Sequence, residues 1–151
     1  MIPIFRAKTI KQDYNEWEEC QELKKIDGTW YAIGFYDCKR VVKTYLGDWE
    51  TTHLILIRKS TAISEVNTAE SIDISTLAIH FPNILDKKGN KIFASLQEDG
   101  KGGDILFDME FGYTLSFDGL KFNLQGLFSQ SSFNEFDLWE DFNIIGVKNE
   151  N

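Results

Sequence analysis

The 151-residue chain is poor in the residues that staple, kink or ligate: two cysteines, two prolines, two methionines and two histidines. Cys20 and Cys38 form no C-x-x-C pair, which removes the zinc-ribbon and thioredoxin-like readings, and both are expected to be free thiols. His53 and His80 lie far apart in sequence, with no ligand or triad spacing around either, so structural histidines are expected. The sequence has no nucleophile elbow, no H-E-x-x-H and no glycine-rich dinucleotide turn. No apolar run reaches membrane-spanning length. The start, Met1-Ile2-Pro3-Ile4-Phe5-Arg6, lacks the apolar core and small-residue cleavage site of a signal peptide, so a cytoplasmic location is expected. These absences predict no catalytic residues, no metal, no cofactor and no membrane contact.

Aromatic side chains are abundant: 12 Phe, 5 Tyr and 4 Trp, or 14% of the chain. They fit pleated, half-buried strands and tilt the expectation toward β structure. The length suits one domain or two small ones sharing a core. Charge is uneven. Residues 1–72 carry 10 basic and 11 acidic side chains (net −1), and residues 73–151 carry 6 and 13 (net −7), which together give the formal −8. An acidic C-terminal half repels phosphate backbones, so nucleic acid is a disfavoured partner. Its acidity serves solubility or offers a surface to a basic protein.

Turn residues divide the chain into short strands. Ile2–Lys8 reads as a first strand with Pro3 at its edge. Trp17–Leu23 and Thr29–Tyr36 follow, the latter after the hairpin signal Ile26-Asp27-Gly28. Val41–Leu46, a turn at Gly47-Asp48 and Thr51–Arg58 complete an antiparallel meander. Ser60–Glu70 is expected to be a loop or short helix and to mark the boundary between residues 1–70 and 71–151. Ile72–Phe81 is read as extended because Pro82 disfavours helical geometry at Phe81. Further strands are expected at Lys91–Leu96, Asp104–Phe111, Tyr113–Phe117 and Leu120–Leu127, with Asp118-Gly119 the clearest hairpin. Ser132-x-x-Glu135 matches a capping box, predicting a short helix over Phe133–Glu140 before a last strand, Phe142–Val147. The predicted fold is therefore mainly β: an N-terminal antiparallel meander, then an SH3-like barrel with one short helix before its last strand.

Gly100-Lys101-Gly102-Gly103-Asp104 has glycines suited to cradling phosphate but lacks the Walker spacing. Glu98, Asp99 and Asp104 beside it oppose an anion, so a flexible hairpin connection is the expectation. The same three carboxylates lack an EF-hand spacing for a cation. Aromatic and basic residues come closest in Trp30 and Tyr31 with Lys39, Arg40 and Lys43 of the meander. Trp30, Lys39 and Arg40 are thus candidate ligand-binding residues, in the manner of single-strand nucleic-acid platforms.

Three separated segments carry a further signal. Phe5-Arg6-Ala7-Lys8 stands near the start, Asp86-Lys87-Lys88-Gly89-Asn90-Lys91-Ile92-Phe93 in the middle, and Ile144-Ile145-Gly146 with Glu150-Asn151 at the end. Together they resemble the YopX family of small phage and prophage proteins. Trp17 stands near a tryptophan of that pattern. Asn90 replaces one of its lysines, Pro82-Asn83-Ile84-Leu85 replaces an upstream turn, and Val147 replaces an asparagine. Gly103-Asp104-Ile105-Leu106 looks like the family's Glu-Gly-Asp-Ile-Val stretch arriving late, behind Ala94–Gly102. The resemblance implies a phage-borne accessory protein in a bacterial cell, an SH3-like barrel and a homo-oligomer, acting by binding and not catalysis. Phe5, Arg6, Ala7, Asp86, Gly89, Ile92, Phe93 and Gly146 are implied to be structural. Arg6 is also a candidate anchor for a carboxylate or a ligand phosphate. The alternatives are a counter-defence module, which sequesters a nucleotide signal or blocks a host defence protein, and a nucleic-acid-binding barrel.

Overall fold

A computed structural model describes residues 2–42, 45, 47–60, 65–126 and 139–149, without the side chains of 41, 42, 59, 60, 65 and 66. Among these residues the chain is mainly β, with eleven strands, three short 3-10 turns and no α-helix. No helix among them is long and apolar enough to cross a membrane. The chain divides into two compact units, one formed by Met1–Arg6 with Ser75–Asn151 and the other by Ala7–Ile74. This division differs from 1–70 and 71–151 chiefly in assigning the first six residues to the C-terminal unit. β1 (Ile4–Lys8) runs from the first unit into the second.

The second unit contains β2 (Leu23–Ile26), β3 (Thr29–Val42), β4 (Trp49–Ser60) and β5 (Glu65–Ser71), with β2–β3, β3–β4 and β4–β5 paired antiparallel. Asp27 and Gly28, at φ 51° and 82°, supply the two left-handed residues that a tight β2–β3 hairpin requires. Leu23, Tyr31, Ile55 and Ile57 are almost fully buried. The Tyr14 hydroxyl donates to Glu70 Oε2 at 2.7 Å, while its ring lies 5.2 Å from that of Trp30.

The first unit contains β6 (Ala78–His80), β7 (Ala94–Ser95), β8 (Asp104–Phe107), β9 (Gly112–Phe117), β10 (Phe122–Gly126) and β11 (Asn143–Val147). The N-terminal part of β1 pairs with β6, β6 with β7, and β11 with β8, all antiparallel. β9 joins three neighbours: β10 along its length, β8 near its start, and β7 in parallel through Ser95 and Ser116. The β9–β10 hairpin turns on Gly119 at φ 99°, with Asp118 Oδ1 accepting from the Leu120 and Lys121 amides at 2.9 and 3.0 Å.

Ile79, Ile92, Ala94, Leu106, Leu115, Leu124 and Phe142 form this unit's core. Each fully buried aliphatic chain such as Leu106 or Leu115 contributes about 1.5–3 kcal/mol through removal from water. Phe81, Phe117, Phe122 and Trp139 extend the core as a run of tilted and edge-on rings at 4.9–5.0 Å.

Several predicted elements change. Trp17–Leu23 is not a strand: Glu16–Glu18 is a 3-10 turn and Trp17 is largely exposed. The alternation that makes a strand is absent among these charged residues. Thr29–Tyr36 and the start of Val41–Leu46 belong to one 14-residue strand. Part of the expected loop at Ser60–Glu70 is β5, a polar strand paired to β4. Ile72–Phe81 holds a 3-10 turn, Ile74–Thr76, ahead of β6. Most of the helix predicted over Phe133–Glu140 and its capping box lies outside the described residues. The 3-10 turn Trp139–Asp141 immediately precedes β11.

Candidate functional site

Arg6 and Asp104 meet in the first unit. Arg6 lies on β1 beside Ala78 of β6, and Asp104 opens β8. Arg6 Nη2 stands 2.8 Å from Asp104 Oδ1 and donates to the Gly102 carbonyl at 2.9 Å. The guanidinium carbon lies 4.6 Å from the centre of the Phe93 ring. Asp104 is tied to Phe93 twice, its amide donating to the Phe93 carbonyl at 2.9 Å and its Oδ2 accepting from the Phe93 amide at 2.7 Å. Both members of the pair are almost completely buried. Burial pushes the Asp104 carboxyl above its ordinary value, and the charge of Arg6 and the Phe93 amide pull against that rise.

The glycine-rich segment before Asp104 is a packed loop and not the flexible connection expected. Gly100, Gly102 and Gly103 are buried. A Cβ at Gly102, whose φ is 85°, would lie 2.0 Å from the Thr76 carbonyl oxygen. One at Gly103 would lie 2.6 Å from the Leu115 oxygen and 2.7 Å from the Ser95 nitrogen. The loop's carbonyls are claimed from all sides: Lys101 by the Ser95 hydroxyl at 2.6 Å, Gly103 by the Lys148 amide at 2.9 Å, and Asp99 by Lys148 Nζ. Asp99 Oδ1 accepts from the Lys101 amide at 2.9 Å, closing its own turn. The loop's amides, the groups that would cradle a phosphate, are spent inside the fold: Gly100 donates to the Gln97 carbonyl at 3.0 Å, Gly102 to the Lys148 carbonyl at 2.7 Å and Gly103 to the Gly100 carbonyl at 3.0 Å. No group of three or more metal-ligating side chains occurs among the described residues.

Asp86 is the second node. Its Oδ1 accepts from the Lys88 and Asn90 amides at 2.9 and 2.8 Å, which closes the turn around Gly89. Its Oδ2 accepts from the Asn90 side chain at 3.2 Å and from the Ile144 amide at 3.3 Å. The Lys87 amide donates to the Phe142 carbonyl at 2.8 Å, so the turn is docked on the start of β11. Burial raises the Asp86 carboxyl, but the bonds from Asn90, Ile144 and Lys88 outweigh burial and hold it below its ordinary value. Ile92 and Phe93 then enter the core. His80 is buried beside them, with Nδ1 at 3.0 Å from the Ile92 carbonyl and its ring 5.5 Å from Phe93. Burial lowers its pKa.

The remaining candidates lie on the β3–β4 ribbon of the second unit. Trp30 is corrected: it is 2% exposed, and it lies nine residues from Lys39 on one strand, about 30 Å away at strand rise. Lys39 and Arg40 are exposed opposite Thr52 and Thr51. Arg40, and not Lys39, meets a tryptophan, and that tryptophan is Trp49, paired in register with Val42, in place of Trp30. The Arg40 guanidinium stands 5.2 Å from the Trp49 ring centre, and Trp49 is 58% exposed. Tyr45, beyond β3, is almost wholly exposed. The four tryptophans are all possible members of an exposed platform on the sequence alone, and Trp30 stands closest to Lys39 and Arg40 there only while Thr29–Tyr36 and Val41–Leu46 are separate strands. A single strand Thr29–Val42 carries Trp30 away and leaves Trp49, across the Gly47-Asp48 turn, beside Arg40. Farther down the same face, the Tyr36 hydroxyl and His53 Nδ1 are 2.6 Å apart, and Cys38 lies opposite His53 in register. Burial, then the neighbouring Cys38 and Asp37, raise the Tyr36 hydroxyl.

Comparisons with family models, curated proteins and solved structures find no match to this chain.

Proposed function

We propose that the chain is a YopX-like accessory protein of a phage or prophage that acts by binding a protein partner and not by catalysis. The observation that carries the reading is the inward use of the motif residues. Arg6 of the first segment holds Asp104, and Asp86 of the second holds the Ile144 amide of the third. These inward bonds support a reading in which the residues that carry the resemblance serve as scaffold. The same proposal includes an SH3-like barrel, supported by the short antiparallel strands of the first unit and the 3-10 turn directly before β11.

At the end of the β3–β4 ribbon Arg40 and Trp49 are exposed side by side, and Tyr45, between the two strands in sequence, is exposed as well. Arginine and tryptophan are residue types that dominate protein interfaces. A counter-defence protein that blocks a host defence protein is one form of this reading. The form that sequesters a nucleotide lacks support from Arg6, whose guanidinium is occupied by Asp104 and Gly102. Affinity capture from phage-infected host lysate, with wild type beside R40A/W49A, tests the proposal. A partner identified with wild type and lost with the variant supports it. Turnover of a metabolite or nucleic acid that a single carboxylate substitution abolishes would overturn it.

A further inference from the structure

β5 is an edge strand whose outer side is half used. Among the described residues β4 is the one strand paired with it. The amide of Ile72, next after β5, donates to the His53 carbonyl of β4 at 3.0 Å. Main-chain groups alternate in direction along an antiparallel strand, so those of Ser71, Ala69 and Asn67 point away from β4. Ser71 shows this directly: its carbonyl accepts from the Ile10 amide at 2.9 Å, and the Asp73 amide donates to the Lys8 carbonyl at 2.9 Å. The residues that end and follow β1 thus already dock here in the manner of an added strand. They stop at Ile10, after which Gln12 Nε2 folds back to the Thr9 and Trp30 carbonyls at 2.7 and 3.1 Å. From Ala69 to Glu65 the edge continues for about 14 Å at strand rise, with Asn67 and Ala69 exposed.

Natural sheets commonly blunt such edges with proline, lysine or a bulge. β5 (EVNTAES) has no proline and no lysine, and it pairs with β4 from end to end without a break in register. The face beside it defines the occupant. Phe35 lies opposite Leu56, and Leu56 opposite Ala69, so the three share one face. Phe35 is 52% exposed and Leu56 40%. This apolar row crosses the strands and ends at the edge. A strand added beside β5 sets one side chain opposite Ala69, where a leucine or an aromatic ring leaning across the alanine methyl covers Leu56. A helix has its own amides satisfied and cannot use the edge. A nucleic acid meets two glutamates and no basic residue on β5. The β5 of a second copy is itself polar and would bring the row little.

We infer that the outer edge of β5, at Asn67 and Ala69, takes an extended segment of a partner protein as an added strand, with a bulky apolar residue of that segment opposite Ala69. Main-chain hydrogen bonds to the two outward-facing residues hold the segment, and the apolar row selects its side chain. The inference goes beyond the ribbon-end reading: it concerns a different surface and rests on the second unit alone.

Selection of random linear peptides displayed on yeast against the full chain is the test, with fluorescence anisotropy of the enriched peptides to measure affinity. The enriched peptides should share apolar residues at alternate positions. A69P should bind them at least tenfold more weakly, because it loses an outward donor and its ring obstructs the edge. Its amide does not serve the β4 pairing, so the fold should survive, which circular dichroism checks. R40A/W49A should bind the peptides as wild type does, which separates this edge from the ribbon end. If A69P does not fold, N-methylation of the peptide decides: methyl groups on alternate residues should abolish binding in one register and spare it in the other. No enrichment, equal binding by wild type and folded A69P, or equal tolerance of methylation in both registers overturns the inference. So does peptide binding lost with R40A/W49A, or self-association of the chain that A69P abolishes.

Discussion

Arg6 and Asp104, 98 positions apart, form an ion pair at 2.8 Å with both side chains withdrawn from water. Such a pair contributes little net stability over apolar groups of the same shape, but removing one partner strands the other's charge. R6A or D104A should therefore cost about 3–5 kcal/mol, visible as a large drop in urea midpoint. The double substitution R6M/D104L should recover much of that loss. A double variant no more stable than the singles would show that the backbone bonds at Gly102 and Phe93, and not the charges, set the cost.

Asp86 makes stability pH-dependent with a defined sign. Its folded pKa lies below the ordinary 3.8, so its contribution is full above that value and is lost as pH falls through the lower folded value. D86N removes this linkage. The stability gap between wild type and D86N should be widest at neutral pH and should narrow progressively below about pH 4. Urea titrations at several pH values measure it, and a gap that stays constant with pH would reject the role of the ionised carboxylate. His80 acts in a higher window: its pKa lies below the ordinary 6.5, so stability falls as the unfolded chain takes up a proton below that value. H80N should flatten the slope just below pH 6.5.

Gly102 of the buried loop and Gly119 of the β9–β10 hairpin separate two effects that the sequence shows as one. Gly102 and Gly119 both have positive φ, yet a Cβ at Gly119 meets nothing within 4 Å and one at Gly102 meets the Thr76 carbonyl. G119A should cost about 1 kcal/mol for the left-handed backbone alone. G102A should cost about 3 kcal/mol or more, because the Thr76 segment must also move. Thermal or urea unfolding of the two variants side by side decides this. Equal losses would mean that the loop gives way easily.

Strands bounded by turn chemistry were legible in the residues. Asp118-Gly119 and Asp27-Gly28 form hairpins because their side chains and left-handed backbones leave few alternatives. The mainly β class follows from the aromatic and β-branched content that these strands carry. β5 was not legible, because Glu65–Ser71 is held by pairing to β4 and has no apolar period of its own. The candidate site was half legible. Arg6 stood out as a strand-borne arginine, but its partner lies across 98 positions, where no local spacing points. Trp30 resembled a surface platform only because burial depends on which strands flank it.

At the ribbon end the Arg40 guanidinium lies 5.2 Å from the centre of the exposed Trp49 ring. Neither belongs to a packed core, so W49A and R40A should change folding stability by less than about 1 kcal/mol. Interface anchors of these residue types typically cost 2 kcal/mol or more when truncated, about thirtyfold in affinity. Each single substitution should therefore weaken capture of the partner by at least tenfold while leaving the urea midpoint nearly unchanged. Substitution of Trp17, which is exposed elsewhere in the same unit, should leave binding intact and so serves as the aromatic control. Undiminished binding by W49A would move the partner surface away from the ribbon end. A loss of stability matching the loss of binding would make Trp49 a packing residue.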